Sequence, residues 1–172
     1  KLIPSQLQKV IETKEDATAF LQNNATAQFL VRDINTRPAK KSPAPPFITS
    51  TLQQEASRKL YFSVSKTMTL AQRLYEAGHI TYMRTDSVNL SEEAKKNINA
   101  QIESNYGKNY SQPRHFKTKN KGAQEAHEAI RPTDFSIKEL NIDYDQARLY
   151  ELIWRRTVAS QMSDAVLERT QI

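Results

Sequence analysis

Residues 46–87 read PFITSTLQQEASRKLYFSVSKTMTLAQRLYEAGHITYMRTDS, and this stretch predicts two consecutive helices followed by a short β-prone segment. The first helix is expected to be capped by Ser50 or Thr51, whose hydroxyl can accept a hydrogen bond from a first-turn N–H, and to run through Leu60. Its buried face is expected to consist of residues at helical spacing, namely Leu52, Ala56 and Leu60.

The second helix of this stretch is expected to start at Ser63 or Ser65 and to end at Gly78, a good terminator. Apolar residues at helical spacing predict its buried face as Val64, Met68, Ala71 and Tyr75. The following residues, His79–Met83, are β-prone. Two short helices joined closely resemble a helix-turn-helix pair, but this pairing is also common as plain core architecture.

Two longer helices are predicted towards the C-terminus. One is capped by Ser91 and runs to Tyr106, before Gly107; the other is capped by Asp143 and runs to about Met162. Their expected buried residues are Ala94, Ile98 and Ile102 in one, and Ala147, Tyr150, Trp154 and Val158 in the other. The polar stretch 110–122 between them is expected to be a loop, and 124–130 a short helix.

The two ends of the chain complete a mainly α fold class with short β segments. A helix is predicted at Lys14–Leu21 and a strand at Ala27–Ile34. Four prolines in 36–46 exclude a helix or a central strand there, so that stretch is interpreted as a connector. Val166–Ile172 looks like the start of another strand. The strand-bearing ends could belong to one second domain that the helical unit interrupts.

Composition excludes several classes of site. The 172 residues contain no Cys, which excludes disulfides, Cys-ligated zinc, iron–sulfur clusters and thiol nucleophiles. Three Gly, none of them in a Gly-Xaa-Gly pattern, exclude a glycine-rich phosphate loop. No apolar run approaches the roughly 20 residues that span a bilayer. The first residue is not Met, and no signal peptide follows, which is expected of a piece of a larger protein.

Positive charge is in moderate excess and locally concentrated. The chain has 25 Lys and Arg against 19 Asp and Glu, a formal net charge of +6. The most basic stretches are 37–41 and 114–121. They are interpreted either as solvated loops or as contacts to phosphate, which Lys and Arg bind without reading base sequence.

Tyr82 and Arg84 form one candidate reactive pair. A tyrosine hydroxyl can attack a phosphodiester, but ionising one with a pKa of about 10 at pH 7 costs about 4 kcal/mol. A cation about 4 Å away at an effective dielectric constant near 20 supplies a similar amount. Residues two apart in an extended segment project to the same face, so Arg84 could be the cation beside the Tyr82 oxygen. The alternative is a half-buried strand tyrosine beside an ordinary surface charge.

A second candidate cluster surrounds His127. On a helix, His127 and Arg131 would share a face, and either could donate to a phosphate oxygen. The neighbouring Glu125 and Glu128 would favour protonated imidazole. Two further metal ligands are not evident, so no metal site is assigned to this chain.

Three segments in order decide between these alternatives: residues 46–56 (PFITSTLQQEA), 78–87 (GHITYMRTDS) and 125–132 (EAHEAIRP). Together they resemble the type IA DNA topoisomerases. The Met after the Tyr is similar to the bacterial topoisomerase I branch. The resemblance extends from about Asp16 to Ile172.

The resemblance implies an ATP-independent enzyme that cuts one DNA strand, holds the 5′ phosphate on tyrosine, passes another strand and reseals, relaxing negative supercoils. Tyr82 would be the nucleophile and Arg84 would bind the scissile phosphate. His127 would contact the phosphate or assist proton transfer. Thr85 and Asp86 would be partners of Arg84 or of the DNA. Arg131 would bind DNA or hold its segment in place.

The resemblance also implies domains and partners. Residues 1–45 would be part of an arch domain II, 46–162 the helical domain III, and 163–172 a return strand into domain II. Expected partners are single-stranded DNA at the cleavage site and the remaining domains of the same polypeptide, in the cytoplasm and at the nucleoid. Family members bind Mg²⁺ in a toprim domain that nothing before Pro46 resembles, so this piece is expected to hold no metal and to be inactive alone.

Two other classes of function remain open. A non-catalytic DNA-binding module could be built on the helix pair between Ser50 and Ala77, and it would bind duplex DNA in a salt-sensitive manner. A purely structural interaction domain would bind no DNA. The DNA-binding module leaves the stretch 82–87 unexplained.

Overall fold

The computed structural model describes residues 6–28, 30–116 and 128–172, and over these residues the protein is mainly helical, as predicted. The elements in chain order are α1 (Lys14–Asn24), β1 (Asn35–Lys41), α2 (Thr49–Leu60), α3 (Val64–Glu76), α4 (Glu92–Tyr106), α5 (Tyr144–Ser160) and β2 (Ala165–Gln171). A short 3₁₀ turn, Lys108–Tyr110, follows α4. The predicted N-terminal helix and C-terminal strand are therefore confirmed.

The two strands pair with each other in an antiparallel ribbon, and this pairing corrects two predictions. Residues 27, 28 and 30–34 are irregular, so the prediction of a strand at 27–34 is wrong. β1 instead occupies much of the proline-rich stretch interpreted as a connector. A strand needs a partner for its backbone groups, and β2 supplies it. Pro38 is tolerated because each strand of a two-stranded sheet keeps one open edge.

Helix α2 begins at Thr49, one residue before the expected cap, and ends at Leu60 as predicted. Ser50 and Thr51 therefore lie in its first turn rather than at its cap. The Thr51 hydroxyl nevertheless accepts a hydrogen bond from the Ile48 N–H at 3.0 Å, which satisfies one of the N–H groups that have no partner within the helix. Of the predicted face, Leu52 and Ala56 are fully buried, whereas Leu60 is only partly buried.

Helix α3 is capped by Ser63, whose hydroxyl accepts from the Lys66 N–H at 3.2 Å, as predicted. Its expected buried face is wrong at both ends, because Val64 and Tyr75 are 56% and 41% exposed. The helix packs against both α2 and α5, so a different set of residues faces the core. The residues that α3 buries are Thr67, Leu70, Ala71 and Leu74.

The two long C-terminal helices follow their capping signals. Ser91 accepts from the Ala94 N–H at 3.3 Å and Gly107 follows the last residue of α4. Asp143 accepts from the Gln146 N–H at 3.2 Å, and α5 ends at Ser160, about two residues early. Most of the predicted buried residues are confirmed, namely Ala94, Ile98, Ile102, Tyr150, Trp154 and Val158, whereas Ala147 is only partly buried.

The segment between α4 and α5 departs from the predicted helix. Residues 124–127 of that expected helix lie outside the described residues, and 128–130 are not helical. Ile130 instead forms an antiparallel bridge with Phe47, and Ile80 forms one with Pro132. These short bridges bring the segment that follows His127 against both the entry to α2 and the segment that follows α3.

The chain divides into two compact units, one being Ala39–Leu167 and the other the segments Lys1–Pro38 and Glu168–Ile172. In the first unit, α2 to α5 surround a core whose largest fully buried side chains include Tyr150, Phe47, Leu52, Leu74, Ile80, Met83, Ile98 and Ile153. In the second, α1 buries no residue. The assignment of 1–45, 46–162 and 163–172 to particular domains stays a prediction.

Candidate active site

The segment that carries Tyr82 starts from a glycine turn at the end of α3. Gly78 has a φ of +76°, a left-handed conformation that glycine adopts without strain. Its N–H donates to the Tyr75 carbonyl at 2.8 Å, and the next N–H, of His79, donates to the Leu74 carbonyl at 2.9 Å. This Schellman pair sets the direction in which the chain leaves α3.

Tyr82 and Arg84 are both exposed, with a buried residue between them. Tyr82 keeps 45% of its surface accessible, whereas Met83 has none. Arg84 is exposed as well. The core therefore holds the middle of the triplet, and both side chains proposed for chemistry reach solvent.

The ring of Tyr82 packs on a second tyrosine. Its centroid lies 5.1 Å from that of Tyr75, with the rings inclined at 66° in an edge-to-face arrangement. Such aromatic pairs contribute about 0.5–1.5 kcal/mol beyond their buried area. Tyr75, which the helical pattern placed in the core, thus lies beside the candidate nucleophile.

The first residue of α2 binds the backbone just after Tyr82. The Thr49 N–H donates to the Thr85 carbonyl at 3.0 Å, and the Thr85 N–H donates to the Thr49 Oγ1 at 2.9 Å. The Thr49 hydroxyl has the Met83 carbonyl at 2.8 Å and the Thr85 carbonyl at 3.1 Å as acceptors. The start of α2 and the segment 83–85 are therefore joined residue to residue.

The backbone just before Tyr82 is bound on another side. The Thr81 N–H donates to the Arg131 carbonyl at 2.9 Å, and the Thr81 hydroxyl donates to the Ala129 carbonyl at 2.7 Å. The Arg131 N–H in turn donates to Thr81 Oγ1 at 2.9 Å. Tyr82 thus lies in the sequence between Thr81, which is hydrogen-bonded to residues 129 and 131, and Thr85, which is hydrogen-bonded to Thr49.

An open cleft of about 470 Å³ adjoins this segment. Arg84 is the cation in its lining, and the start of α2 contributes helix N-terminal backbone, where anions are favoured. Across the described residues, neither Arg84 nor Asp86 takes part in an ion pair. The lining residues are Ile48, Thr49, Ser50, Gln53, Arg84, Thr85 and Asp86.

Arg131 is engaged by its neighbours. Its Nη2 and Nε lie 2.6 and 3.1 Å from Glu128 Oε2, and its Nη1 donates to the Pro132 carbonyl at 3.0 Å. The guanidinium also lies 5.8 Å from the centre of the Phe135 ring. Its side chain is only 16% exposed, so these contacts hold its segment in place.

Glu128 joins this segment to the start of α4. Its Oε1 accepts the Ser91 N–H at 2.7 Å. Burial of Glu128 acts to raise its pKa, but the hydrogen bonds from Ser91 and Arg131 and the charge of Arg131 outweigh burial and lower the pKa of this carboxyl. Glu128 is therefore held as a carboxylate.

The third predicted catalytic residue, His127, lies outside the described residues, as does Glu125. Within the described ranges, no three His, Asp or Glu side chains come together as a metal site. No Mg²⁺ site is therefore proposed on the described residues.

The sequence interpretation missed three residues at this site: Thr49, Thr81 and Tyr75. The two threonines stand inside the segments quoted for the resemblance, but their hydrogen bonds join residues 34 to 50 positions apart. Tyr75 was misassigned because helical spacing alone does not say which side of α3 faces the core.

No helix among the described residues is long and apolar enough to cross a lipid bilayer.

Comparison with known proteins identifies relatives over nearly the whole chain. A family model described as DNA topoisomerase matches residues 3–172. The chain is 51% identical over 164 residues to DNA topoisomerase 1 of Zymomonas mobilis, covering 94% of this chain and 13% of that protein. It is 54% identical over 152 residues to DNA topoisomerase 1 of Streptomyces coelicolor, covering 86% of this chain and 16% of that protein.

A solved structure is also similar. The full-length topoisomerase I of Thermotoga maritima superposes with a TM-score of 0.75 at 37% identity, covering 96% of this chain and 28% of that one. The chain therefore spans less than a third of the length of each of these relatives.

Proposed function

Because the chain belongs to the type IA DNA topoisomerases, in their bacterial topoisomerase I branch, we propose that it carries the tyrosine with which such an enzyme cleaves one strand of DNA. The observation that carries this proposal is the placement of Tyr82 and Arg84. Both are exposed on either side of a buried Met83, and Arg84 lines a cleft next to the N-terminus of a helix.

In the proposed reaction, the Tyr82 oxygen attacks the phosphorus of a phosphodiester. A bond forms between this oxygen and phosphorus, the bond from phosphorus to the 3′ oxygen breaks, and the 3′ hydroxyl leaves with a proton. The tyrosine proton passes to a base. The phosphotyrosine ester replaces one phosphodiester by another, so resealing by the 3′ hydroxyl needs no ATP.

The roles of the neighbouring residues follow from their charge and position. Arg84 binds the scissile phosphate and stabilises the charge that develops on it, because a guanidinium can donate to two phosphate oxygens at once. Thr85 and Asp86 line the same cleft and orient Arg84 or contact the DNA. His127 lies outside the described residues, and its proposed role in phosphate contact or proton transfer comes from the family resemblance alone. Arg131, engaged with Glu128, serves mainly to hold its segment.

We further propose that the DNA is single-stranded at the cleavage site, that a second strand passes through the break, and that negative supercoils are relaxed. The remaining domains of the same polypeptide are the proposed protein partners. This activity belongs at the nucleoid, hence in the cytoplasm. These assignments draw on the family alone.

The proposed Mg²⁺ requirement is assigned to residues outside this chain. No metal site is proposed on the described residues, so no step above depends on one here. When bound, Mg²⁺ supplies positive charge near the phosphate. On the family resemblance, the 172 residues alone are not expected to cleave or relax DNA.

The decisive experiment traps the covalent adduct in the full-length enzyme. A single-stranded oligonucleotide labelled at its 3′ end is incubated with the protein, which is then denatured in detergent. The wild type is expected to carry the label, and Tyr82→Phe is expected to lose it. Tyr61→Phe is the matched control, because Tyr61 is 89% exposed and lies at the end of a different helix.

An adduct that persists in Tyr82→Phe contradicts the assignment of the nucleophile. A wild type that binds DNA in a salt-sensitive way but never forms an adduct supports the non-catalytic DNA-binding module instead.

A further inference from the structure

We propose that Thr49 is a positioning residue that holds Tyr82 and Arg84 in the geometry for cleavage. This inference rests on the proposed function of those two residues. The side-chain hydrogen bonds of Thr49 go to backbone atoms of Met83 and Thr85, so Thr49 is not proposed as a catalytic residue. It acts through the backbone on both sides of Arg84.

The Thr49 hydroxyl oxygen binds both peptide groups that flank Arg84. The peptide before Arg84 contributes the Met83 carbonyl, 2.8 Å from Thr49 Oγ1. The peptide after it contributes the Thr85 N–H, which donates to the same oxygen at 2.9 Å. Two peptide planes fixed on one atom restrict the φ and ψ of the residue between them, which is Arg84.

The same contact restricts Tyr82 from its C-terminal side. Met83 is fully buried, so its side chain cannot shift without disturbing the core, and its carbonyl is held by Thr49. Thr81, immediately before Tyr82, is held by the backbone of Ala129 and Arg131. The residues immediately before and after Tyr82 are therefore both held by hydrogen bonds, and Thr49 makes the hydrogen bond on the C-terminal side.

Helix α2 does not need the Thr49 hydroxyl for its own start. The hydroxyl of Thr51 accepts from the Ile48 N–H at 3.0 Å and lies 3.2 Å from the Ile48 carbonyl. The Thr49 side chain is directed instead to residues 34 and 36 positions away. Its hydrogen bonds thus join the start of the helix to the reactive segment.

The test replaces Thr49 in the full-length enzyme by valine, which keeps the shape and loses the hydroxyl, and by serine, which keeps the hydroxyl. Thr51→Val is the matched control, because it removes a hydroxyl from the same helical turn without touching residues 82–85. Single-turnover cleavage of a 3′-labelled single-stranded oligonucleotide, affinity for the uncleaved oligonucleotide and the unfolding temperature are measured for each.

We expect Thr49→Val to cleave roughly ten- to a hundredfold more slowly, as displacements of about 1 Å at reacting atoms produce. We expect its affinity for uncleaved DNA to stay within about twofold, its unfolding temperature to match that of Thr51→Val, and Thr49→Ser to recover most of the rate. If Thr49→Val does not fold, Thr49→Ala takes its place in the comparison with Thr49→Ser.

The inference is overturned if Thr49→Val cleaves as fast as Thr51→Val, or if Thr49→Ser is as slow as the variant without a hydroxyl. It is also overturned if the loss of rate follows the loss of stability equally in all variants. A failure of the proposed function is distinguishable, because the wild type itself would then form no adduct at Tyr82.

Discussion

Replacing Glu128 by glutamine tests whether charge holds the segment after His127 in place. The substitution keeps the size of the side chain and an oxygen that can accept the Ser91 N–H. It removes the charge that binds Arg131 at 2.6 Å. We expect Glu128→Gln to lower the stability of the protein, because the charge is lost while the shape of the side chain is kept.

The size of the loss follows from the exposure of the pair. Hydrogen bonds to charged groups contribute about 1.5–3 kcal/mol, whereas fully exposed ion pairs contribute about 0–1 kcal/mol. The Glu128 and Arg131 side chains are 28% and 16% exposed, between these limits. We therefore expect Glu128→Gln to lower the free energy of unfolding by about 2 kcal/mol, a roughly 30-fold change in the ratio of folded to unfolded protein.

The loss must also depend on pH in a defined direction. The pKa of Glu128 is lowered in the folded protein from its ordinary value of 4.5. Its contribution is therefore fully present above the unfolded pKa and is lost as pH falls through the folded pKa. The difference between wild type and Glu128→Gln should be constant from pH 6 to 8 and shrink below about pH 4.5.

Urea unfolding of the 172-residue chain at several pH values measures both quantities. Glu151→Gln is the matched control, because Glu151 pairs with Arg155 at 2.5 Å but on an exposed helix face, with side chains 33% and 66% exposed. This pair should contribute only about 0.3–0.5 kcal/mol. Equal losses in the two variants, or a Glu128 effect that persists unchanged at pH 3, would show that the Glu128 charge does not stabilise this segment.

Three further predictions concern the turn, the cation and the chain as a whole. Gly78→Ala meets no atom within 4 Å but keeps a φ of +76°, so it should cost about 1–2 kcal/mol in urea unfolding; an unchanged midpoint would show that the turn relaxes. Arg84→Lys in the full-length enzyme should slow adduct formation about 10²–10³-fold by losing bidentate phosphate contact, and a wild-type rate would argue against that role. The 172-residue chain alone should not relax supercoiled DNA with Mg²⁺ at ordinary protein concentration. Relaxation in that assay would contradict the proposal that residues outside this chain are required.

Local capping signals in the sequence were sufficient to place the ends of α3, α4 and α5. Ser63, Ser91 and Asp143 cap α3, α4 and α5 as predicted, because a capping hydroxyl or carboxylate acts on N–H groups only two or three residues away. Such signals need no tertiary partner. The termini of these helices were therefore predicted to within about two residues.

Strand position and buried faces required the rest of the molecule. β1 lies at Asn35–Lys41 rather than in the apolar stretch before it, because only there does β2 pair with its backbone. Helix α3 packs against α2 and α5, and the positions of these two helices decide which of its faces is buried. The apolar spacing within α3 does not reveal those positions, so Val64 and Tyr75 were wrongly predicted to be buried.

The family and the candidate pair Tyr82 and Arg84 could be read from the sequence, since both rest on residue types within short segments. Only tertiary packing brings Thr49 and Thr81 to the backbone on either side of Tyr82, and Glu128 to the Ser91 N–H. The reason is the distance along the chain between these partners. Hydrogen bonds between residues 34 to 50 positions apart form only after the helices have packed, and no local pattern encodes them.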